Sequence, residues 1–213
     1  THAWGVTDRI TFDYLYRQLV ARHSKQPWHT AFLTLASHEP WQVPYSRIKH
    51  NEIANAFAYT DDCLGQFVAR IRRTPQWKNL LIVCLPDHGI TYPAGLTEAN
   101  IRRYHVPMLW LGGAVKKPRQ ISTICNQSDL AAMLLGQLGL PHHDFRFSRD
   151  ILSHTYRYPC AWHTFGGGFA FIDSTGYTVV DLKTNRPMTD LPKASPRRLT
   201  LGRALLQTTQ DDL

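Results

Sequence analysis

An α/β fold with a largely parallel sheet and flanking helices, followed by a small antiparallel β-meander and a terminal helix, is what this sequence predicts. Three observations predict it. Helix-period segments over 8–22 and 52–73 alternate with short apolar runs at 31–36, 80–85 and 106–113. The run LLIVCL at 80–85 is apolar at every position, the pattern of a strand covered on both faces. After about residue 150 the pattern changes to short runs separated by GGG and STG, the pattern of an antiparallel meander. With 213 residues, the chain has room for one large domain or a domain plus a small appendage.

Taken in order, DRITFDYLYRQLVAR at 8–22 sets Ile10, Tyr14, Leu15 and Leu19 at helical spacing, with Thr7 or Asp8 opening the helix. AFLTLA at 31–36 is short and runs into SHEPWQVP, so it is expected to be a buried strand leaving into a loop. From 52 to 73, Ile53, Phe57, Leu64, Phe67, Val68 and Ile71 recur at three- and four-residue steps, and Pro75 stops the helix. VPMLWLGG at 106–113 is a further expected strand. SDLAAMLLGQLG at 128–139 predicts a helix with Ser128 as N-cap and Gly139 as its stop. AWHTF, FAFID and YTVVDL supply the meander, and Ser195-Pro196 opens the last helix with a good cap and a proline at its first position. The domain boundary is set between 1–150 and 151–213.

Chemistry is expected where strands of an open α/β sheet end. The 80–85 strand delivers Asp87 and His88, with Gly89 letting the backbone turn; the 31–36 segment delivers Ser37, His38 and Glu39. A carboxylate beside an imidazole can furnish two ligands to a divalent ion, and that donor pair suits zinc or manganese. An Asp-His pair in a turn with no metal is an equally ordinary reading of those two residues alone.

The wider context is more specific. FLTLASHEPWQVP, NAFAYTDDCLGQFVARI, NLLIVCLPDHG, YHVPMLWLGG, QSDLAAMLLGQLGLP and FSRDIL follow one another in a set order. Together they resemble the alkaline phosphatase superfamily, and within it the lipoteichoic acid synthase-like (phosphoglycerol or phosphoethanolamine transferase-like) branch of the sulfatase family. The resemblance covers about residues 4–152 and is much weaker beyond. It implies the C-terminal part of an alkaline phosphatase-like catalytic domain. Asp87 and His88 match a pair that binds one catalytic divalent cation, manganese or zinc ahead of magnesium or calcium. His38 matches a histidine that contacts the substrate's phosphate or stabilises its leaving group. The nucleophile and a further acidic metal ligand have no match here and are expected upstream, in a longer protein of which a chain beginning at Thr1 is a piece. The implied reaction is double displacement at a phosphate or sulfate ester through a covalent intermediate. The implied setting is outside the cytoplasm, with an upstream region holding the protein at the membrane. The fragment alone is expected to be inactive.

Other residues carry weaker signals. His105, in RRYHVP, is a candidate substrate contact, or else a strand-entry histidine. Arg103, with Arg102, is a candidate for an anionic head group, although neighbouring loop arginines are commonly just solvated. Asp61 and Asp62 are expected on a helix face, and Asp129 at a helix N-terminus. His142-His143-Asp144 is adjacent in sequence but poorly spaced to converge on one ion, and GGG at 166–168 lacks the lysine and helix of a phosphate loop. Trp4 and Trp41 flank the expected site. The four cysteines form no C-x-x-C pair, which disfavours a zinc knuckle or thioredoxin-type centre.

The net charge of +8 favours an anionic partner: nucleic acid, anionic lipid or a phosphorylated substrate. The resemblance implies a phosphate or sulfate ester, with a lipid head group or a glycan. Its basic groups (Arg70, Arg72 and Arg73; Arg102 and Arg103; Lys116, Lys117 and Arg119; Arg197 and Arg198) form no stripe in the sequence and are expected to be a solvated surface. No nucleic acid is expected, because no aromatic-interleaved basic motif is present. The reading from another class is a non-catalytic module that keeps the fold and binds an anionic glycan or lipid.

Overall fold

A computed structural model of the chain describes residues 5–212. Trp4 lies outside the described residues. The chain divides into two compact units: Thr1–Cys84 with Leu109–Pro118, and Leu85–Met108 with Arg119–Leu213.

The first unit is built on two parallel helices. Helix α1 (Asp8–Val20) opens after Thr7 and buries Phe12 and Leu19. Helix α2 (Glu52–Ile71) is capped by Asn51, whose side chain accepts the Ala54 N–H at 2.9 Å. Its buried stripe of Asn55, Tyr59, Cys63, Phe67 and Ile71 advances four residues at a time along one face. Phe57, expected in that stripe, is exposed on the other face. The helices match along their length, with the Thr60 hydroxyl on Asp8, Phe12 against Phe67 (centroids 5.4 Å apart) and Arg70 on Asp13. At the far end Gln76 donates to the Val20 carbonyl. Phe12, Leu19, Ala36, Tyr59, Cys63, Phe67, Ile71 and Leu80 form the core of this unit. Pro75 does follow α2, and it also opens a 3-10 turn over Pro75–Asn79.

Strand β1 (Ile82–Cys84) pairs antiparallel with β2 (Leu109–Leu111), Ile82 opposite Leu111 and Cys84 opposite Leu109. The expected parallel sheet is therefore not what forms among the described residues, where both sheets are antiparallel. Parallel neighbours need a crossover, usually helical, and the segment between β1 and β2 contains only a 3-10 turn at Ile101–Tyr104. The expected strand at 31–36 is also absent. Backbone N–H groups must find acceptors somewhere, and those of Leu35 and Ala36 find the Asp8 carboxylate at 2.9 and 3.1 Å instead of a neighbouring strand. Leu33, read as buried, is 71% exposed.

The second unit contains helix α3 (Leu130–Gln137) and a four-stranded meander, β3 (Cys160–Phe165), β4 (Gly168–Asp173), β5 (Gly176–Asp181) and β6 (Arg186–Leu191), in that order. Asn126, not Ser128, caps the 3-10 turn that leads into α3. Asn126 and Asp129 bond reciprocally as a capping box, while the Ser128 hydroxyl goes to the Phe147 carbonyl. The fourth strand was not foreseen because it is polar and carries Pro187. An edge position accommodates a proline, and here it falls where the β5–β6 register shifts. Helix α4 (Pro196–Asp211) starts with Ser195 accepting the Arg198 N–H, as the sequence predicts. Gly202 leaves room for the Phe169 ring, so α4 lies close against β4.

Arg198, expected on a solvated surface, is 1% exposed. Its guanidinium donates to Thr175 and Thr178 and to Asp190 at 2.8 Å, and lies 3.9 Å from Asp173. Both carboxyls are held below the usual aspartate range. Burial opposes this, but hydrogen bonds from Thr175 and Tyr158 to Asp173, and from Thr178 and Arg198 to Asp190, outweigh it.

Candidate metal and phosphoester site

Asp87 and His88 stand in the turn that follows β1, both largely exposed. The turn folds onto itself. The His88 N–H donates to Asp87 Oδ1 at 3.0 Å, and the His88 ring meets the Gly89 carbonyl through Nδ1 at 3.0 Å. A carbonyl oxygen only accepts, so Nδ1 carries the proton and the imidazole lone pair sits on Nε2. That nitrogen lies 3.7 Å from Asp87 Oδ2. A neutral histidine whose other nitrogen donates to a carbonyl is the usual arrangement of a metal-ligating imidazole.

Two neighbouring parts of the second unit hold this turn. A side chain at Gly89 would overlap the Arg103 carbonyl, so glycine is required for the close approach of the 101–104 turn. Gln127 donates its amide to the carbonyls of Pro86 and Asp87. The 101–104 turn is itself capped by Asn100, which accepts the Arg102 N–H at 3.0 Å. It is also fixed from the meander side: Tyr104 stacks on His163 with centroids 3.6 Å apart. Burial lowers the His163 pKa to about 4, and its Nε2 is buried without a hydrogen-bond partner. Burial likewise raises the Tyr104 phenol, against the nearby Arg103 charge.

The structure thus brings Asp87, His88 and the Arg103 backbone together. The Arg103 side chain is half-buried and 3.8 Å from Glu98, a paired group and not simply a solvated one. His105 follows the turn, exposed, with its N–H on the Arg102 carbonyl. It does not join Asp87 and His88 as a third donor, since no three His, Cys, Asp or Glu side chains converge on a metal position among the described residues. Asp87 and His88 have the donor chemistry for a divalent ion, but supply two ligands of a site that needs more.

His38 belongs to the first unit. Its N–H bonds the Leu35 carbonyl and its carbonyl accepts the Trp41 N–H, closing a tight turn. Its Nδ1 donates to the Glu39 carbonyl at 2.8 Å, which orients the ring. The base of that turn is tied down by Asp8, which is fully buried. Trp41 stacks on Phe57 at 6.1 Å, a packing role. Asp62 bonds Gln66 one helical turn on. His143 and Asp144 are an exposed neighbouring pair.

The sequence reading missed Asp8, Gln127, His163 and Arg149. Arg149 forms a two-pronged ion pair with the fully buried Asp129, Nε to Oδ1 at 2.9 Å and Nη2 to Oδ2 at 2.7 Å. Burial works against its charge, yet the Asp129 bonds outweigh it and hold its pKa above the ordinary arginine value. Asp129 thus accepts the Asn126 N–H in the capping box and neutralises an arginine at once. Helix-start spacing pointed to Asp129; nothing pointed to its partner.

The sulfatase family profile matches residues 1–140. Phosphoglycerol transferase I of Xanthomonas euvesicatoria pv. vesicatoria is 28% identical over 163 residues, which cover 71% of this chain and 23% of the relative. Arylsulfatase K of Canis lupus familiaris is 26% identical over 91 residues, 39% of this chain and 16% of the relative. The chain therefore spans about a quarter of the length of these phosphoglycerol transferase relatives. Among solved structures, an alkaline phosphatase superfamily protein of Vibrio parahaemolyticus superposes with a TM-score of 0.80 at 18% identity, covering 100% of this chain and 56% of that one. The lipoteichoic acid synthase LtaP of Listeria monocytogenes gives 0.73 at 18% identity, covering 99% and 60%. The α/β fold is similar to that of these alkaline phosphatase superfamily structures, and the chain belongs to the sulfatase family.

Proposed function

We propose that the chain is part of a metal-dependent enzyme that transfers or hydrolyses a phosphate ester, of phosphoglycerol transferase type, with sulfate esters as the second substrate class. The observation that carries this reading is the Asp87-His88 turn of a sulfatase-family chain, with the His88 lone pair on Nε2 beside the Asp87 carboxylate. These two residues would hold one divalent cation, manganese or zinc ahead of magnesium or calcium. Bound there, the cation would polarise a phosphoryl oxygen and activate the attacking group. Gln127 and Gly89 keep the turn in its ligating conformation. His38 presents Nε2 to the phosphate or leaving group, its ring oriented by the Glu39 carbonyl. Arg103 and His105 are assigned to the anionic part of the substrate. The nucleophile that forms the covalent ester, and the remaining ligands, come from the longer protein. That protein acts at the extracytoplasmic face, held at the membrane by its upstream region, and residues 151–213 form an appendage to the catalytic domain. Within the described residues no helix is long and apolar enough to cross a membrane.

The test is metal content and phosphodiester turnover of the full-length protein. Asp87→Asn is expected to lose both metal and turnover. His38→Gln is expected to keep the metal and lose about 10²–10⁴-fold in rate. A metal-replete, active Asp87→Asn protein sinks the ligand assignment. A folded wild type that binds anionic glycan or lipid but turns over neither ester class establishes the non-catalytic module instead.

A further inference from the structure

The basic residues that form no stripe in the sequence are gathered by the fold of the first unit. Helices α1 and α2 run parallel, so both end at the same pole, where Gln76 reaches the Val20 carbonyl. Directly beyond α1 come Arg22 and Lys25; beyond α2 come Arg72 and Arg73. The 3-10 turn that follows carries Lys78, and the chain leaving β2 is bonded to it, Gly113 N–H on the Trp77 carbonyl at 3.1 Å. Lys116 and Lys117 lie three and four residues further on. All seven side chains belong to exposed residues, and among the described residues none is in an ion pair. The segments that present them, 20–34, 71–81 and 112–118, contain no Asp or Glu. Seven positive charges against none stand here, in a chain whose total is +8.

Helix ends account for only a small part of this. Each helix C-terminus carries roughly half a negative charge, so two helices neutralise about one of the seven. The opposite pole of the same unit holds the N-terminal ends of both helices and the turn of His38, which Asp8 ties to the start of α1. The basic pole is thus remote from the candidate site within this unit, and steering substrate to His38 does not explain it. The cations come from three separate segments of the chain, all exposed. Trp28 stands among them, 37% exposed, with the Arg22 guanidinium over its ring at 4.9 Å. An amphipathic ring amid basic loops is the chemistry of a membrane interface.

We propose that this pole is a docking surface for an anionic phospholipid bilayer, which it contacts through Arg22, Lys25, Arg72, Arg73, Lys78 and Lys116-Lys117. The inference is independent of the metal assignment. It is tested by co-sedimentation of the protein with phosphatidylcholine vesicles and with phosphatidylcholine–phosphatidylglycerol vesicles at physiological ionic strength. Binding is expected only to the anionic vesicles and weakens as salt rises. The triple variant Lys78→Ala/Lys116→Ala/Lys117→Ala is expected to lose about 100-fold in partitioning, about fivefold per cation. A control with the same charge change in the second unit, Lys183→Ala/Arg186→Ala/Lys193→Ala, is expected to bind within about twofold of wild type. Both variants alter exposed residues, and circular dichroism confirms that each is folded. Equal binding to neutral vesicles overturns the proposal, as does equal loss in both triple variants. Tighter retention on duplex DNA or heparin than on the anionic vesicles also overturns it, and identifies a polyanion as the partner.

Discussion

Asp8 shows how one buried carboxylate can set a local structure that propensity does not. It accepts the N–H groups of Leu35 and Ala36 and the hydroxyl of Thr60, and no water reaches it. Replacing it with alanine leaves three donors, one buried and two partly buried, without their acceptor, at about 1–3 kcal/mol for a buried one. Asp8→Ala is therefore expected to destabilise the protein by about 3 kcal/mol or more. Asp8→Asn, which keeps one oxygen in place, is expected to cost about half as much. The specific readout is amide hydrogen exchange at Leu35 and Ala36, which should lose protection in Asp8→Ala well before the α2 core does. Unchanged protection at those two amides would show that the His38 turn is held by something else. This anchor was not legible in the sequence, because Asp8 reaches its partners across 27, 28 and 52 positions. Gln127 bonds the Asp87 turn across 40. A single chain carries no periodic signal for such bonds, whereas the Asp87-His88 pair announces itself by adjacency after an apolar strand.

Elements with a strong local signal formed where the pattern placed them. Helices α1 and α2 form where their spacing predicts, although Ile10, Tyr14 and Phe57 of the expected apolar faces are exposed and Phe12 is buried instead; α4 follows its Ser195-Pro196 start, and β3 to β5 their glycine-bounded runs. What local pattern could not decide was pairing: an apolar run states that a strand is covered, not the direction of its neighbour. So β1 was placed correctly and its sheet was not. At this scale the most demanding element is the turn that carries Asp87 and His88, because it is shaped by Gly89 meeting the Arg103 carbonyl. Gly89→Ala is expected to push the 101–104 turn away and disorder Asp87 and His88. Metal affinity of the full-length protein should fall by at least tenfold, of the order seen when outer contacts of metal ligands are lost. Gly65→Ala serves as the control, since an added side chain there meets open space and the backbone needs no left-handed conformation. Metal titration of the two variants separates the cases: comparable affinity in both would mean that the Gly89 contact does not shape the site.

For the molecule as a whole, the shifted groups define a pH window. Folded His163 titrates near pH 4 and its unfolded counterpart near 6.5, so the unfolded chain takes up the proton first. Stability from this residue is complete above 6.5 and declines as the pH falls toward 4, with a slope approaching about 1.4 kcal/mol per pH unit. Asp173 and Asp190 titrate below 3.8 when folded, and what they contribute is lost as the pH falls through their folded values. On the alkaline side, burial raises all four thiols above 9.0, so the unfolded chain ionises first and stability declines above that value. Thermal melting against pH is therefore expected to show a plateau between about 6.5 and 9, with two superposed acid steps below it. His163→Phe separates those steps. It keeps the ring against Tyr104 and removes a buried nitrogen that has no hydrogen-bond partner. The variant is expected to melt at or above the wild-type temperature at pH 7 and to hold its plateau down to about pH 4, where only the carboxylates remain to titrate. If the decline between 6.5 and 4 persists unchanged in His163→Phe, another of the eleven histidines is responsible, and burial of His163 does not set the acid limit of stability.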